Sequence, residues 1–593
     1  MAENFSRREI LKGTAATGAI GLAATHLGAS TVNTLLAHAD ESAATRILSL
    51  TSNDGVYIPP RGESHFKFSY DFPEPSVEFA GFQFGFRVFT FENTYGLDVS
   101  RMRVRPVADG IEIECSQFVW AGGQQKAPGH LKAVIRKNGD VLEWQASAEM
   151  DKPIKSIATI LRGVPRGKVS VSAEQFFDPK DDELLFQYPY LGGGMTTPLV
   201  IIQKSEQQYF MLSAEEEQVR GVRLYLQPGD AGYRTELIYE KGGWERSNTI
   251  RSATWRAGYA ASVEKAARPH YAHLEKAFGV SDWETRTDIP AWMRETDLVL
   301  ALHGMHWTGY IFNDFAKMLE ILKWTNTRIP GKNVLVFLPA WDGRYYWNYP
   351  AYQADPRLGG EDGLRRLVDE GHAMGFRFMP MFGTNSANKT LPDFHNFADA
   401  ATDYIDGNAY DLDWVDWDND RGLEGWSPFM NTGVASWRNW LSARISEVIE
   451  KYNVDAYFLD IVGGWQNNTK ADSFEGTRML VTELRKKHPN VVAVGEMHYD
   501  ALMSCIPMYQ VNSASLYHPG FRKYVRCFEH LSRPAPGRGS TGVHEAGFQH
   551  FRLRPDPNQF TIPTITVVDD TFEKYRDQMA EVIRGAKVRA NIS

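Results

Sequence analysis

Cysteine is nearly missing from this chain of 593 residues: Cys115, Cys505 and Cys527 are all it has. An odd count without a Cys-x-x-Cys spacing excludes a disulfide framework and a thiolate zinc site, so Cys505 and Cys527 are expected as buried free thiols. Basic blocks are missing too. With a formal net charge of −9 spread along the chain, neither nucleic acid nor an anionic membrane is an expected partner, and a neutral substrate fits better. After residue 40 no stretch offers roughly 20 uninterrupted apolar residues, which excludes a stable membrane anchor of the helical kind. There is no internal repeat and no low-complexity run. What the chain does have is length, too much for one hydrophobic core, and aromatics at 12%, enough rings to furnish a binding surface.

The first residues read as an address. Ser6-Arg7-Arg8-Glu9-Ile10-Leu11-Lys12 sets paired arginines before an uncharged Ala/Gly-rich stretch, and Ala37-His38-Ala39 supplies a small-x-small cleavage pattern. Residues 1–39 resemble a twin-arginine signal. This predicts a soluble mature chain starting near Asp40, the twin-arginine export machinery as a partner, and a periplasmic or extracellular destination. Such cargo is exported folded, which suits a chain that does not rely on disulfides.

Two periodicities divide the remainder. Across residues 40–285 apolar and polar residues alternate, as in "MRVRPVADGIEIEC" and "HLKAVIRKNGDVLEWQAS", with Asn138-Gly139 placed for a two-residue hairpin. This predicts a β-sandwich. From residue 286 to 593 apolar strands alternate with amphipathic helices. "DLVLALH", "NVLVFLPAWD" and "FRFMPMFG" are strands covered on both faces, and "EDGLRRLVDEGHAMG" and "SWRNWLSARISEVIEKYN" are helices with one apolar face, Trp437 and Trp440 included. A fourth strand ends on Asp460 and a fifth on Glu496. "SASLYH", "GFQHFRL" and "TITVVDD" are the expected sixth to eighth strands. Strand–helix alternation over some 300 residues predicts parallel strands closed into a (β/α)8 TIM barrel, so the fold class is multidomain, β then α/β.

In such a barrel the C-terminal strand ends share one face, where the site is built. "VDAYFLDIVGGW" and "VVAVGEMHYD" therefore deliver Asp460 and Glu496 to neighbouring positions on that rim. Glycoside hydrolysis needs two carboxyl groups in different protonation states around one bond. Asp460, near the barrel axis, is expected as nucleophile, and Glu496 as general acid/base with its pKa raised by the Asp460 charge and by partial burial. Asp472, Asp500 and Asp570 are read as helix caps instead.

"YFLDIVGGW", followed 36 residues after its acid by the glutamate of "VGEMHYD", is similar to the fourth and fifth strands of retaining (β/α)8 glycoside hydrolases of the α-amylase-like superfamily. The endo-α-N-acetylgalactosaminidase branch is closest in layout, since it too places a β-sandwich before its barrel. The resemblance implies Asp460 as nucleophile, Glu496 as proton donor and an α-linked substrate. Phe458 stands where amylase-type enzymes carry arginine, and no His-Asp pair in "GVHEAGFQHF" matches their third acid.

Sugars present flat C–H faces to rings and hydroxyls to carboxylates, amides and imidazoles. The barrel half holds eleven of the sixteen tryptophans. His303, Trp307, Trp341, Asp342, Trp465 and His498 follow strands and are the expected substrate contacts, with an oligosaccharide or glycoside as the bound molecule. No cofactor is expected. Nor is a metal: Asp416, Asp418 and Asp420 begin like a calcium loop, but Arg421 and Ser427 break the pattern. His303, His306, His498 and His518 lack metal-type spacing. The alternatives are a non-catalytic carbohydrate-binding protein on the same barrel and an inverting glycosidase using a different acid, such as Asp342.

Overall fold

A computed structural model describes the chain from residue 46 to residue 592, except for residues 52–55, 58–67, 70–72, 173–174, 230–231, 345, 412–424, 512–518 and 530–559. The export segment, the Asp416–Asp420 loop with Trp414 and Trp417, His518, "SASLYH" and "GFQHFRL" lie outside the described residues. Two compact units are present. The first ends at His270; the second runs from Tyr271 and includes the short segments Pro189–Gly192 and Gly242–Trp244.

The strands of the first unit pair antiparallel in two faces. One face runs through Pro73–Phe79, Phe82–Thr90, Ile154–Val164, Gly232–Glu240 and Val222–Gly229. The other runs through Met102–Val107, Gly110–Trp120, Gln125–Asn138, Val141–Met150, Thr254–Ala260 and Gln208–Glu215. Thr94–Leu97 pairs with a strand of each and carries the chain across. Between the faces lies the core. Trp144 donates its indole N–H to Thr159 Oγ1 at 3.1 Å and meets Phe84 edge-on at 5.3 Å, and Phe82 stacks on Phe210. The expected hairpin is displaced by one residue. Asn138 pairs with Val141, so Gly139 and Asp140 form the turn, and only Gly139 takes positive φ. That geometry needs glycine at the first turn position alone.

The second unit is a parallel barrel. Its strands in chain order are Leu298–Leu302, Val334–Leu338, Arg377–Gly383, Ala456–Asp460, Val492–Glu496, Met508–Val511, Arg526–Glu529, and a last strand interrupted by Pro563 into Thr561–Ile562 and Thr564–Val567. Each pairs with the next, and Thr564–Val567 returns to pair with Leu298–Leu302. A proline lacks the N–H that the ladder needs, so the break at Pro563 splits the last strand between its two neighbours. The sixth strand lies at Met508–Val511, upstream of the expected "SASLYH", and the seventh at Arg526–Glu529, upstream of "GFQHFRL". Runs of four residues such as "MYQV" are too short for periodicity to separate strand from loop.

Helices follow the first four strands: Phe315–Asn326, Gly360–Ala373, Ala435–Tyr452 and Ser473–Lys487. Asp472 caps the last of these, accepting from the Glu475 N–H at 3.1 Å. Trp437, Leu441, Ile445, Val448, Ile449 and Tyr452 form the buried face of Ala435–Tyr452. After the fifth and sixth strands the described crossovers are short 3-10 turns, Asp500–Ser504 and Pro519–Lys523, rather than α-helices. Asp500 accepts from the Ala501 N–H at 2.7 Å. Asp570 precedes its helix without a side-chain cap and pairs with Lys574 instead. No helix among the described residues is long and apolar enough to cross a membrane.

Candidate active site

Parallel pairing decides where the acids fall. Leu459 lies opposite Gly495, which makes Asp460 and Glu496 neighbours at the ends of the fourth and fifth strands. Side chains alternate along a strand. Phe458 and Asp460 share a face, and Phe458 meets Phe337 at 4.4 Å and Phe528 at 6.4 Å. These three rings come from the second, fourth and seventh strands, so they fill the barrel interior. Asp460 sits one layer above an aromatic floor.

The chain turns sharply after both acids. Ile461 and Met497 each take φ of 55°, a left-handed conformation that is costly for a β-branched residue such as isoleucine. Gly463 lets the two loops touch: a Cβ there would lie 2.5 Å from the Met497 carbonyl carbon. Its N–H donates to the Glu496 carbonyl at 3.0 Å, and the Ile461 N–H donates to Glu496 Oε2 at 3.0 Å. Asn385, after the third strand, donates to the carbonyls of Ile461 and Gly464. The "DIVGGW" sequence is thus a tight brace that holds one acid against the other.

Asp460 is 2% exposed and Glu496 half-buried. Burial first, and then the nearby Glu496 carboxyl, push the Asp460 pKa well above the usual aspartate range; the Tyr346 hydroxyl opposes that rise. The rise at Asp460 follows from its place, because the fourth strand sets this acid deep over the phenylalanine floor.

Asp342, beyond the second strand, joins this group through Tyr352. Tyr352 is buried, its hydroxyl feels the charges of both Asp342 and Asp460, accepts from the Gly383 N–H at 2.9 Å and donates to the Gly383 carbonyl at 3.2 Å. Asp342 is 2% exposed, and burial pushes its pKa up to about 7. Among the described residues, Oδ2 of Asp342, Oδ2 of Asp460 and Nε1 of Trp465 are buried without a protein hydrogen-bond partner. Buried polar atoms are ordinarily satisfied, and a hydroxyl-rich ligand is one thing that would satisfy them.

The other expected contacts fall in different surroundings. Trp465 is buried, with Tyr190 edge-on at 5.0 Å. His303 is buried with Phe312 across its ring, and Trp307 stacks on His306 at 4.9 Å while its carbonyl accepts from Arg344 Nε at 2.7 Å. Trp341 is a packing residue. It is fully buried against Phe382 and Tyr452, between strands and helix, with its indole N–H on the Met381 carbonyl at 3.0 Å. His498 stacks on Tyr509 at 4.2 Å and packs on Phe521, and burial pushes its pKa down to about 3, so it is a neutral ring. Among the described residues, no three His, Cys, Asp or Glu side chains are grouped to hold a metal ion.

Three residues at the site escape sequence reasoning: Tyr346, Tyr352 and Gln510. Gln510 lies opposite Glu496 on the sixth strand and is buried. The tyrosine-rich run "GRYYWNYPAYQ" after the second strand was a usable signal for the first two.

A barrel preceded by an antiparallel β unit, with paired acids on its rim, is a fold of the glycoside-hydrolase type. No protein-family model matches the sequence, and no curated protein matches it. Solved structures do. The ligand-free α-N-acetylgalactosaminidase NagBb from Bifidobacterium bifidum superposes with a TM-score of 0.64 over 88% of this chain and 91% of its own, at 12% identity. Its complex with GalNAc gives 0.60 over 79% and 83%, at 14% identity. A GH31 family sulfoquinovosidase from E. rectale in complex with an aza-sugar inhibitor gives 0.53 over 92% and 83%, at 12% identity. At these identities the likeness is one of fold, shared with α-glycoside hydrolases.

Proposed function

We propose that this protein is a glycoside hydrolase that cleaves an α-linked glycoside with retention, with Asp460 as nucleophile and Glu496 as general acid/base. The observation that carries this reading is the approach of the two carboxyl groups. Both stand at the ends of adjacent, directly paired strands, whose spacing of roughly 4.8 Å favours the short separation of a retaining pair over the roughly 6.5–9.5 Å of an inverting one. Positive charge developing at the anomeric carbon draws the negative charge to Asp460 and leaves the proton on Glu496.

In the first step an Asp460 oxygen bonds to the anomeric carbon, the glycosidic C–O bond breaks, and the leaving oxygen takes the proton of Glu496. In the second, ionised Glu496 removes a proton from water as the water oxygen displaces Asp460. Asp342 and Trp465 supply hydrogen-bonding atoms to the sugar, and the preceding fold likeness supports an α-linked substrate. Asp460→Asn and Glu496→Gln should each lower turnover on a responsive α-glycoside by a factor on the order of 10³ or more, with circular dichroism unchanged. The product anomer, followed by NMR, should retain configuration. Wild-type rates in either folded variant refute the assignment.

A further inference from the structure

A general acid/base has to present one particular oxygen to the glycosidic bond, and the backbone decides which oxygen of Glu496 that is. The Ile461 N–H donates to Oε2 at 3.0 Å. A carboxyl oxygen that accepts from an N–H is a poor seat for a proton, so the proton that the leaving group needs belongs on Oε1. The donor itself stands in a costly place. Ile461 takes φ of 55°, a left-handed conformation that a β-branched residue keeps only where its surroundings enforce it.

The enforcement comes from the third strand. Asn385, two residues beyond its end at Gly383, is 4% exposed and donates from Nδ2 to the Ile461 carbonyl at 2.7 Å and to the Gly464 carbonyl at 3.3 Å. The Gly464 N–H closes the same turn, donating to the Ile461 carbonyl at 2.8 Å. Asn385 is held in turn by the backbone around it. The Thr384 N–H donates to the Asp460 carbonyl at 3.2 Å, and the Thr384 carbonyl accepts from the Trp437 indole N–H at 2.8 Å. The Asn385 carbonyl accepts from the Met430 N–H at 2.9 Å, and Ser386 Oγ lies 2.8 Å from Ser427 Oγ. Two carbonyl oxygens facing one short side chain call for a donor with two protons, which asparagine has and the isosteric aspartate lacks.

We propose, building on the hydrolase reading, that Asn385 is the positioning residue of the general acid/base: through Ile461 it aims a backbone N–H at Glu496 Oε2 and so leaves Oε1 to meet the glycosidic oxygen. One relay serves both steps. With Oε2 held, Oε1 gives its proton to the leaving oxygen as the glycosidic bond breaks, and then takes a proton from the water that displaces Asp460.

The test is Asn385→Ala and Asn385→Asp in the full chain, each shown to be folded by circular dichroism, with methyl and 2,4-dinitrophenyl α-glycosides of the sugar that wild type hydrolyses. In both variants kcat/KM should fall about tenfold to a hundredfold on the methyl glycoside, whose leaving oxygen must be protonated, and by less than about threefold on the dinitrophenyl glycoside, whose leaving group departs as an anion. A purely structural role lowers both rates alike, and that outcome overturns the inference. A second measurement does not need turnover. With ¹⁵N-isoleucine labelling, and the Ile461 amide identified by its loss in Ile461→Val, exchange of that amide with solvent should speed up about tenfold or more in both Asn385 variants. Unchanged exchange in either folded variant overturns the inference as well. Faster exchange in a protein whose wild type hydrolyses no glycoside upholds the hydrogen-bond relay and removes the hydrolase reading.

Discussion

Asp342→Asn separates a buried charge from the packing around it. The wild-type carboxyl has a pKa of about 7 against an ordinary 3.8, and at 1.36 kcal/mol per pH unit the difference is roughly 4 kcal/mol. Between those two values the folded protein keeps a proton that the unfolded chain has released. Stability from this group is therefore complete below the unfolded pKa and is lost as pH rises to about 7, after which the loss is constant. Asparagine has the same shape and does not ionise. Its amide meets the site where Oδ2 has no protein partner among the described residues, at a pH-independent cost of about 1–3 kcal/mol. The pH-dependent part is thus the cleaner quantity. The stability of the variant relative to wild type should rise by roughly 4 kcal/mol from pH 4 to pH 9. Equilibrium urea unfolding followed by tryptophan fluorescence measures it. A difference that is flat across that range, or that increasingly favours wild type at high pH, refutes the reasoning. Loss of glycoside affinity in the same variant would locate Asp342 among the substrate contacts.

Gly463→Ala should be damaging out of proportion to its size. The added methyl meets the backbone of Met497 and the N–H of His498 at 2.7 Å, neither of which can swing aside. A stability loss of about 1–3 kcal/mol and a fall in turnover on the order of tenfold or more are expected, from melting curves and steady-state rates; a variant that keeps both at wild-type levels removes the brace argument. The N-terminal segment makes a separate prediction: Arg7→Lys with Arg8→Lys should leave precursor in the cytoplasm, whereas wild type is recovered outside it with an N-terminus near Asp40. Equal export of the two in cell fractions counts against a twin-arginine route.

The strands that sequence located well are those with five or more apolar residues and a helix on each side. "DLVLALH" and "VDAYFLD" could be nothing else, and Asp460 followed directly from the second. The sixth and seventh strands, four residues each, gave no such period and are linked by 3-10 turns, so the pattern that dated the earlier strands was missing. Trp341 and His498 show the limit for side chains. Both follow strands, as a substrate contact should, yet one packs outward onto Phe382 and the other lies on Tyr509. Direction at a loop depends on φ values such as the 55° of Ile461 and Met497, which residue identity does not announce.

Sequence by itself determined that a β unit precedes a parallel barrel and that two strands end in carboxylates, because burial on one face or two leaves a periodic trace in the order of residues. Tertiary structure alone decided which acid is deeper and that three phenylalanines from distant strands lie beneath it. Those are properties of groups brought together by closing the barrel, and electrostatic environment depends on neighbours in space rather than along the chain.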